Sequence, residues 1–407
     1  MADRGQKNNG PLYVVEAYSV LHRITIFMSR DLLSLFSAVF LLAFGMSFAA
    51  PLIPLLLKEL GASPGSIGQI QTVYFLAFTL TTTLLGRWID RAGSKSLIIA
   101  GLGLFGTAVF VMPFTPEPWF FYFIRIVQGI GSALLFAPTE AAINLISSPE
   151  KCSTNMGIYG LVFGAGFAAG PALSTSLYIF NPRFPFYVAA LSCAAAMVVL
   201  QAWFHEQPVP IKKTAWGFSK LLSVLKIPLT AAACYAFVEV TVGAFLSLYL
   251  DAFGISGARM GIVFTLFAIG GIISPFPGGY LADKIGRRSV LKLTGVFLVC
   301  VTAGFIFAQN YWTIASLALC LGMVAGILYP VSLSLIAELV PAQQLGSANA
   351  SFSFFYGLGS IAGPLLTGWV LDFSSIDYLF YPITAAALAF LIITLQAKTP
   401  LPPSPTK

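Results

Sequence analysis

Gly279-Tyr280-Leu281-Ala282-Asp283-Lys284-Ile285-Gly286-Arg287-Arg288 is a polar, charged knot set between two long apolar runs. A second knot stands earlier, at Gly86-Arg87-Trp88-Ile89-Asp90-Arg91-Ala92-Gly93-Ser94-Lys95. Asp90 and Asp283 lie 193 positions apart in a chain of 407 residues. One such knot is an ordinary loop; two, nearly half a chain apart, mark a chain built twice.

Working outward from the knots, the flanking stretches are apolar and span-length. Hydrophobic residues make up 57% of the chain, charged residues 9%, and the mean hydropathy is +0.87. Soluble domains carry about 25% charged residues, so this chain has too few to solvate a globular surface. Largely uncharged runs of about 18 residues or more are long enough to cross a bilayer core. The expected fold class is therefore an all-α membrane protein.

Twelve spans are predicted, near 33–57, 66–86, 96–113, 117–144, 154–180 and 184–204, then 226–250, 259–282, 289–308, 311–337, 346–371 and 376–396. The expected organisation is an N-terminal segment 1–32, a six-helix half 33–204, a linker 205–225, a second six-helix half 226–396 and a tail 397–407. Leu12 to Met28 reads either as an interfacial helix or as a poorly ordered terminus. No compact apolar core of a cleavable signal opens the chain.

Eighteen of the 22 lysines and arginines fall on the side that holds the N-terminus and the knots, and three on the other. That bias predicts both termini in the cytoplasm, and the expected location is the cell (inner) membrane. The repeat extends beyond the knots. Gly166 and Gly170-Pro171 are matched 193 positions later by Gly359 and Gly363-Pro364. Pro138 and Pro149 are matched at an offset of 192 by Pro330 and Pro341. Parallel repeats with an even number of spans suit a two-fold axis along the membrane normal.

With these features the chain resembles the major facilitator superfamily, and within it the twelve-span, proton-coupled drug exporters, over about residues 33–396. Three motifs carry the likeness. The family's loop between spans 2 and 3 is fitted at every position by Gly279, Asp283, Lys284, Gly286, Arg287 and Arg288 and their neighbours. Its first copy keeps Gly86, Asp90, Arg91 and Gly93, with Trp88 where Leu is usual and Ser94 where Arg is usual. The second motif is Arg125-x-x-Gln128-Gly129 in span 4. The third is the series Gly160, Gly164, Gly166, Gly170 and Pro171 in span 5, with Ser174 and Thr175 in place of the usual later glycines.

Each motif has a physical reading. A carboxylate at one helix end can accept from a neighbouring helix's N-terminal amides and pair with Arg or Lys, making a latch. The span 5 glycines would let two helices approach closely, and Pro171 would bend its helix.

Of the 15 acidic residues nearly all sit in loops or at span ends; Glu239 in span 7 and Glu140 in span 4 do not, and Arg125 is their basic counterpart. A charge in the hydrocarbon region costs about 2.5–3.5 kcal/mol on insertion scales, so such residues are functional candidates. The resemblance puts Glu239 beside the central cavity, where it is expected to take up a proton or to balance a cationic substrate, with Tyr235 or Thr241 as neighbours satisfying it. Arg125 and Glu140 share a broad helix face but lie roughly 22 Å apart along the axis, so Arg125 needs another partner, such as a carbonyl or Gln128. The resemblance implies that Arg125 takes part in proton coupling. Tyr235, Tyr249, Tyr329 and Tyr356 are the candidate cavity aromatics.

The implied function is alternating-access transport by a monomer, with protons, a small apolar or amphipathic substrate and the lipid bilayer as partners. Proton-coupled export is expected, and nutrient uptake is the alternative. No cofactor, metal or nucleic acid is expected. The five cysteines have no metal spacing, and no basic surface domain exists. An embedded enzyme is disfavoured by the lack of a His cluster or Ser–His pair within the spans, and an ATP-driven pump by the lack of a phosphate-binding glycine loop.

Overall fold

In the computed structural model, residues 30–148, 151–205, 224–341 and 344–397 are described, with the backbone alone described at 86–92, 153 and 346. The N-terminal segment up to 29, most of the linker, Pro149 and the tail from 398 lie outside the described residues. So do the side chains of Asp90 and Arg91.

The described residues form helices and turns, with no strand. The first half comprises span 1 (Arg30–Glu59), span 2 (Pro64–Ala92), span 3 (Ser94–Phe114), span 4 (Phe120–Ile146), span 5 (Cys152–Phe180) and span 6 (Phe184–Trp203). The second half comprises span 7 (Lys226–Ala252), span 8 (Gly257–Ile285), span 9 (Arg287–Ile306), span 10 (Tyr311–Leu339), span 11 (Leu345–Asp372) and span 12 (Ile376–Gln396). Eleven of these helices are apolar and long enough to cross a membrane. Span 2 is long, at 29 residues, but is diluted by Gln69, Gln71 and a run of threonines.

Local chemistry sets the breaks. Span 1 is interrupted between Ala49 and Ile53, around Pro51, and span 8 at Ser274, before Pro275. A proline removes a backbone donor and clashes with the preceding turn. The charged knots prove shorter than the expected loops. Span 8 runs on to Ile285 and span 9 begins at Arg287, so the joint is Gly286 alone, at φ +89°. Gly93, 193 positions earlier, makes the same joint at φ +77°. Only glycine adopts that backbone without strain. Gly279 has open space around it, so it is not needed for a close helix approach.

The two halves repeat in detail. Spans 1 and 5, 2 and 4, 3 and 6 pack together in one half, and spans 7 and 11, 8 and 10, 9 and 12 in the other. Glycine contacts keep one offset throughout. Gly166 lies against the Phe40 carbonyl, and Gly359 against that of Ala233. Gly129 lies against the Tyr74 carbonyl, and Gly322 against that of Phe267. In lipid, where the hydrophobic effect does not drive helices together, such small-residue contacts hold them by close packing.

The halves meet through span 5 on span 8 and span 2 on span 11. Here each Gly-Pro motif seats against a glycine of the other half. The Pro171 carbonyl faces Gly261, and the Pro364 carbonyl faces Gly68. Thr265 donates to the Ala168 carbonyl and Thr72 to the Ile361 carbonyl, both at 3.1 Å. Gly164 lies against Ile272, and Gly357 meets Thr79 at 3.1 Å or more. Further toward the end carrying Gly93 and Gly286, Gly157 and Gly160 have nothing within 4 Å, and Leu84, Leu161 and Phe276 are exposed. The halves are thus joined at one end and parted at the knot end.

Candidate functional site

Glu239 stands midway along span 7, half-buried where the halves part. Its Oε2 accepts a hydrogen bond from the Tyr356 hydroxyl of span 11 at 3.0 Å, and Tyr235 stands one turn back on span 7. Tyr329 of span 10 closes the group. Its ring centroid is 5.6 Å from that of Tyr235 and 6.2 Å from that of Tyr356, and the Tyr235 and Tyr356 centroids are 6.0 Å apart. Span 7 packs on both spans 10 and 11, which brings three tyrosines from three helices to one carboxylate. Tyr235, expected beside the carboxylate, packs its ring against Tyr329 and Tyr356, and it is Tyr356 that donates to Glu239. Thr241 instead turns its buried, unpartnered hydroxyl toward Gly363. Tyr249 lies elsewhere: it is fully buried against Phe305 and Phe380, and its hydroxyl donates to the Phe305 carbonyl at 3.1 Å.

Glu140 of span 4 is exposed to the gap. It acts electrostatically on Tyr159 of span 5 and, across the gap, on Tyr329, which Glu239 also influences. Glu140 and Glu239, one from each half, thus both lie within electrostatic reach of Tyr329. Among the described residues neither has an ion-pair partner.

Arg125 does not join them. It is 5% exposed between spans 2 and 4, its guanidinium lying over the Tyr74 ring at 4.4 Å from the centroid. One terminal nitrogen donates to Gln128 Oε1 and the other to Gln71 Oε1, leaving Nε without a partner. Tyr74 in turn donates to Ser132 at 2.8 Å. The expected Gln128 contact is there. Gln71, Tyr74 and Ser132 were not anticipated, although a glutamine in the body of a span is itself a signal that a polar partner is near.

The described knot, at Asp283, is not latched across the halves in this conformation. Asp283 is exposed and lies 3.8 Å from Arg287, on the next helix, rather than at a helix N-terminus of the other half. Arg287 pairs more closely with Glu338 of span 10, at 2.7 Å. Lys284 lies over the Tyr280 ring. The parting of the halves at this end is the physical reason: among the described residues the Asp283 carboxylate pairs only within its own half. The span 5 glycines also divide. Gly166 and Gly170 face span 1, Gly164 faces span 8, and Gly160 faces open space.

Two six-helix membrane halves around a central gap with intramembrane carboxylates define a polytopic transporter architecture. The family model described as Major Facilitator Superfamily matches residues 35–238 and 228–407, and the chain belongs to that superfamily. It is 29% identical over 352 residues to an uncharacterized MFS-type transporter, YfkF, of Bacillus subtilis (strain 168), covering 84% of this chain and 88% of that one. It is 26% identical over 379 residues to the uncharacterized MFS-type transporter YcaD of Escherichia fergusonii, covering 90% and 96%. Among solved structures, the nucleoside transporter NupG superposes with a TM-score of 0.76 at 14% identity, covering 90% of this chain and 100% of that one. An inward-facing, unoccupied bacterial homolog of the human lysosomal transporter Spinster superposes with a TM-score of 0.73 at 12% identity, covering 90% and 94%. Those two likenesses are of fold.

Proposed function

We propose that this transporter works by alternating access as a proton-coupled exporter of small apolar or amphipathic compounds, with Glu239 as the proton-binding carboxylate. The observation that carries the reading is the setting of Glu239: a mid-span carboxylate at the gap, held by the Tyr356 hydroxyl and, among the described residues, by no cation. A carboxylate so placed is neutralised by taking up a proton or by a ligand of opposite charge.

The groups facing Glu239 are Tyr235 on its own span, Tyr356 on span 11 and Tyr329 on span 10; Glu140 and Tyr159 of the other half approach Tyr329. Gln128 and Arg125, on span 4 with Glu140, would tune the exchange through that helix. The Lys and Arg bias supports placing the knot end, and both termini, in the cytoplasm of the cell (inner) membrane, which makes the present conformation inward-open. The Asp90 and Asp283 knots would close that end when the halves rock. The protein would act as a monomer, since each chain encloses its own gap.

The test is transport in proteoliposomes under an imposed pH gradient. Glu239→Gln keeps an oxygen to accept from Tyr356, so the variant should fold and elute as the parent does, yet lose proton-driven transport. Unchanged pH-gradient-driven transport in that variant would overturn the assignment.

A further inference from the structure

The two contacts between the halves differ at the joined end. Between spans 2 and 11, Gly368 lies against the Pro64 carbonyl, and the Asp372 carboxylate accepts from the Gly65 amide at 2.7 Å. Between spans 5 and 8, at the same places in the repeat, Thr175 stands for Gly368 and Ile179 for Asp372. Thr175 is buried, and its hydroxyl is committed within its own helix, donating to the Pro171 carbonyl at 2.8 Å. A side chain where the other contact has glycine holds the start of span 8 off, and a cavity of about 280 Å³ lies there.

Both halves line the cavity. Leu52 and Leu55 of span 1 and Met260 of span 8 give it an apolar floor, with Leu52 and Met260 fully buried. Its polar side carries Lys58, Glu59, Tyr178 and Asp251. Lys58 lies 2.6 Å from Asp251, so those two charges offset each other. Glu59 accepts from the Tyr178 hydroxyl at 2.8 Å, and among the described residues no ion pair reaches it. Asp251 is 12 residues beyond Glu239 on span 7, roughly 18 Å along the axis, so the cavity is separate from the gap.

We infer that this cavity is a regulatory site for a small single-ring ammonium compound. The ring sits among Leu52, Leu55 and Met260, the ammonium at Glu59, and the occupant holds the joined end shut. The inference goes beyond the export reading and shares with it only the rocking of the halves.

Size, charge and placement carry it. An apolar cavity of about 150 Å³ is enough for benzene, so this one holds a ring with a short side chain. The uncompensated carboxylate favours a cation over a neutral compound and repels an anion, by a modest factor because Glu59 is exposed. Placement decides the effect. Spans 1 and 5 belong to one half and spans 7 and 8 to the other, so the cavity exists only while this end is joined. An occupant that binds only this state multiplies its population by one plus the ratio of ligand concentration to Kd. At about ten times Kd the factor is about eleven. The knot end is then held open, and transport stops.

The test reads cysteine labelling in the purified full-length protein, with the parent's own labelling subtracted. Benzylammonium, benzyl alcohol and phenylacetate serve as cationic, neutral and anionic probes of one shape. Met260→Cys places a thiol in the cavity, so protection against labelling measures occupancy. Benzylammonium should protect at concentrations about threefold lower than benzyl alcohol, and phenylacetate least of all. Glu59→Gln, which still accepts from Tyr178, should erase that order while leaving protection by benzyl alcohol unchanged. Leu55→Phe or Ile179→Phe, each filling the cavity, should abolish protection by both.

A second thiol separates occupancy from locking. Ile67 is the repeat counterpart of Met260 and is buried on span 2, away from the cavity. Ile67→Cys should label faster once Asp372→Ala loosens the contact between spans 2 and 11. Saturating benzylammonium should then slow it about tenfold, although the probe does not touch that site. Protection of Met260→Cys by none of the probes, equal protection by all three, or phenylacetate protecting best would overturn the inference. So would Ile67→Cys labelling that a saturating probe leaves unchanged. Failure of Asp372→Ala itself to speed Ile67→Cys labelling would reject the rocking of the halves, and the lock with it.

Discussion

Lys58 Nζ lies 2.6 Å from Asp251 Oδ2, and the two residues occupy the same place in the two repeats, 193 positions apart. A residue near a two-fold axis meets its own counterpart, so opposite charges at one repeat position become a pair across the halves. Both side chains are roughly half exposed, so the pair contributes within about 1 kcal/mol. It bridges spans 1 and 7 at the joined end, so that contribution falls on one conformation only. Losing about 1 kcal/mol from one of two states changes their ratio roughly fivefold. Lys58→Ala should therefore shift the protein toward opening at this end while leaving thermal stability almost unchanged. A cysteine at Met260, which is buried beside the pair in a cavity of about 280 Å³, reports the shift as faster labelling. The exchanged pair Lys58→Asp with Asp251→Lys should restore the slow rate; equal labelling in all of these variants would show that the pair does not hold this end.

Asp372 makes the second charged tie at the same end. At the close of span 11, its Oδ1 accepts from the Gly65 amide in the first turn of span 2 at 2.7 Å, and the Ser63 hydroxyl approaches Oδ2 at 3.4 Å. A carboxylate at a helix N-terminus is worth about 0.3–1 kcal/mol when exposed. The repeat counterpart is apolar: Ile179, at the close of span 5, touches Gly257 at the start of span 8. Asp372→Ala should speed Met260→Cys labelling in the direction of Lys58→Ala. Adding Ile179→Asp should slow it again by placing a carboxylate at the other helix N-terminus. Labelling that ignores both substitutions would reduce the contact to a local cap.

Much of the fold was legible because its causes are local or periodic. Apolar length marked the spans, and the repeat offset marked the halves. The offset went further than the knots and the Gly-Pro motifs: Gly68 and Gly261, Tyr74 and Phe267, Lys58 and Asp251 all keep it, and each pair makes equivalent contacts. The site was less legible. Glu239, Glu140 and Arg125 were visible because charge inside an apolar run is costly. Their partners depend on which helices touch and at what height. Nothing local tells Tyr249, which packs into a closed aromatic core, from Tyr356, which reaches the carboxylate. Nor could the knots reveal that their end stands open, since that is a property of one conformation rather than of the chain.

The glycines of span 5 differ in what they permit, and the difference is measurable. A methyl on Gly170 would meet the Ser47 hydroxyl and the Phe48 amide nitrogen of span 1, the latter at 2.9 Å. A methyl on Gly160 would meet nothing within 4 Å. Gly170→Ala should destabilise by about 1–3 kcal/mol through overpacking. Gly160→Ala should stay within about 0.5 kcal/mol or stabilise slightly, since alanine is the better helix former. Gly363→Ala, against Phe237 and Thr241 of span 7, should behave as Gly170→Ala does. Thermal unfolding in detergent ranks the three, and equal losses at Gly160 and Gly170 would refute the packing assignment.

Arg125 is the buried charge whose partners are all neutral. Gln71 and Gln128 accept from its two terminal nitrogens, and the Tyr74 face lies beneath it. Removing one acceptor leaves a buried cation short of a hydrogen bond, a loss of about 1.5–3 kcal/mol. Gln71→Leu should therefore lower thermal stability clearly. Removing the cation together with that acceptor, as Arg125→Met with Gln71→Met, should cost less than the separate losses added together, because neither group is left stranded. The double variant then separates structure from coupling. If Arg125 only clamps span 4 to span 2, the folded double variant should still transport under a pH gradient. If it tunes the proton site through the helix that also carries Glu140, coupling should fall while the protein remains folded. The second outcome is expected. Arg125 sits on a span that lines the gap, and two apolar side chains would clamp spans 2 and 4 as well without stranding an unpartnered Nε.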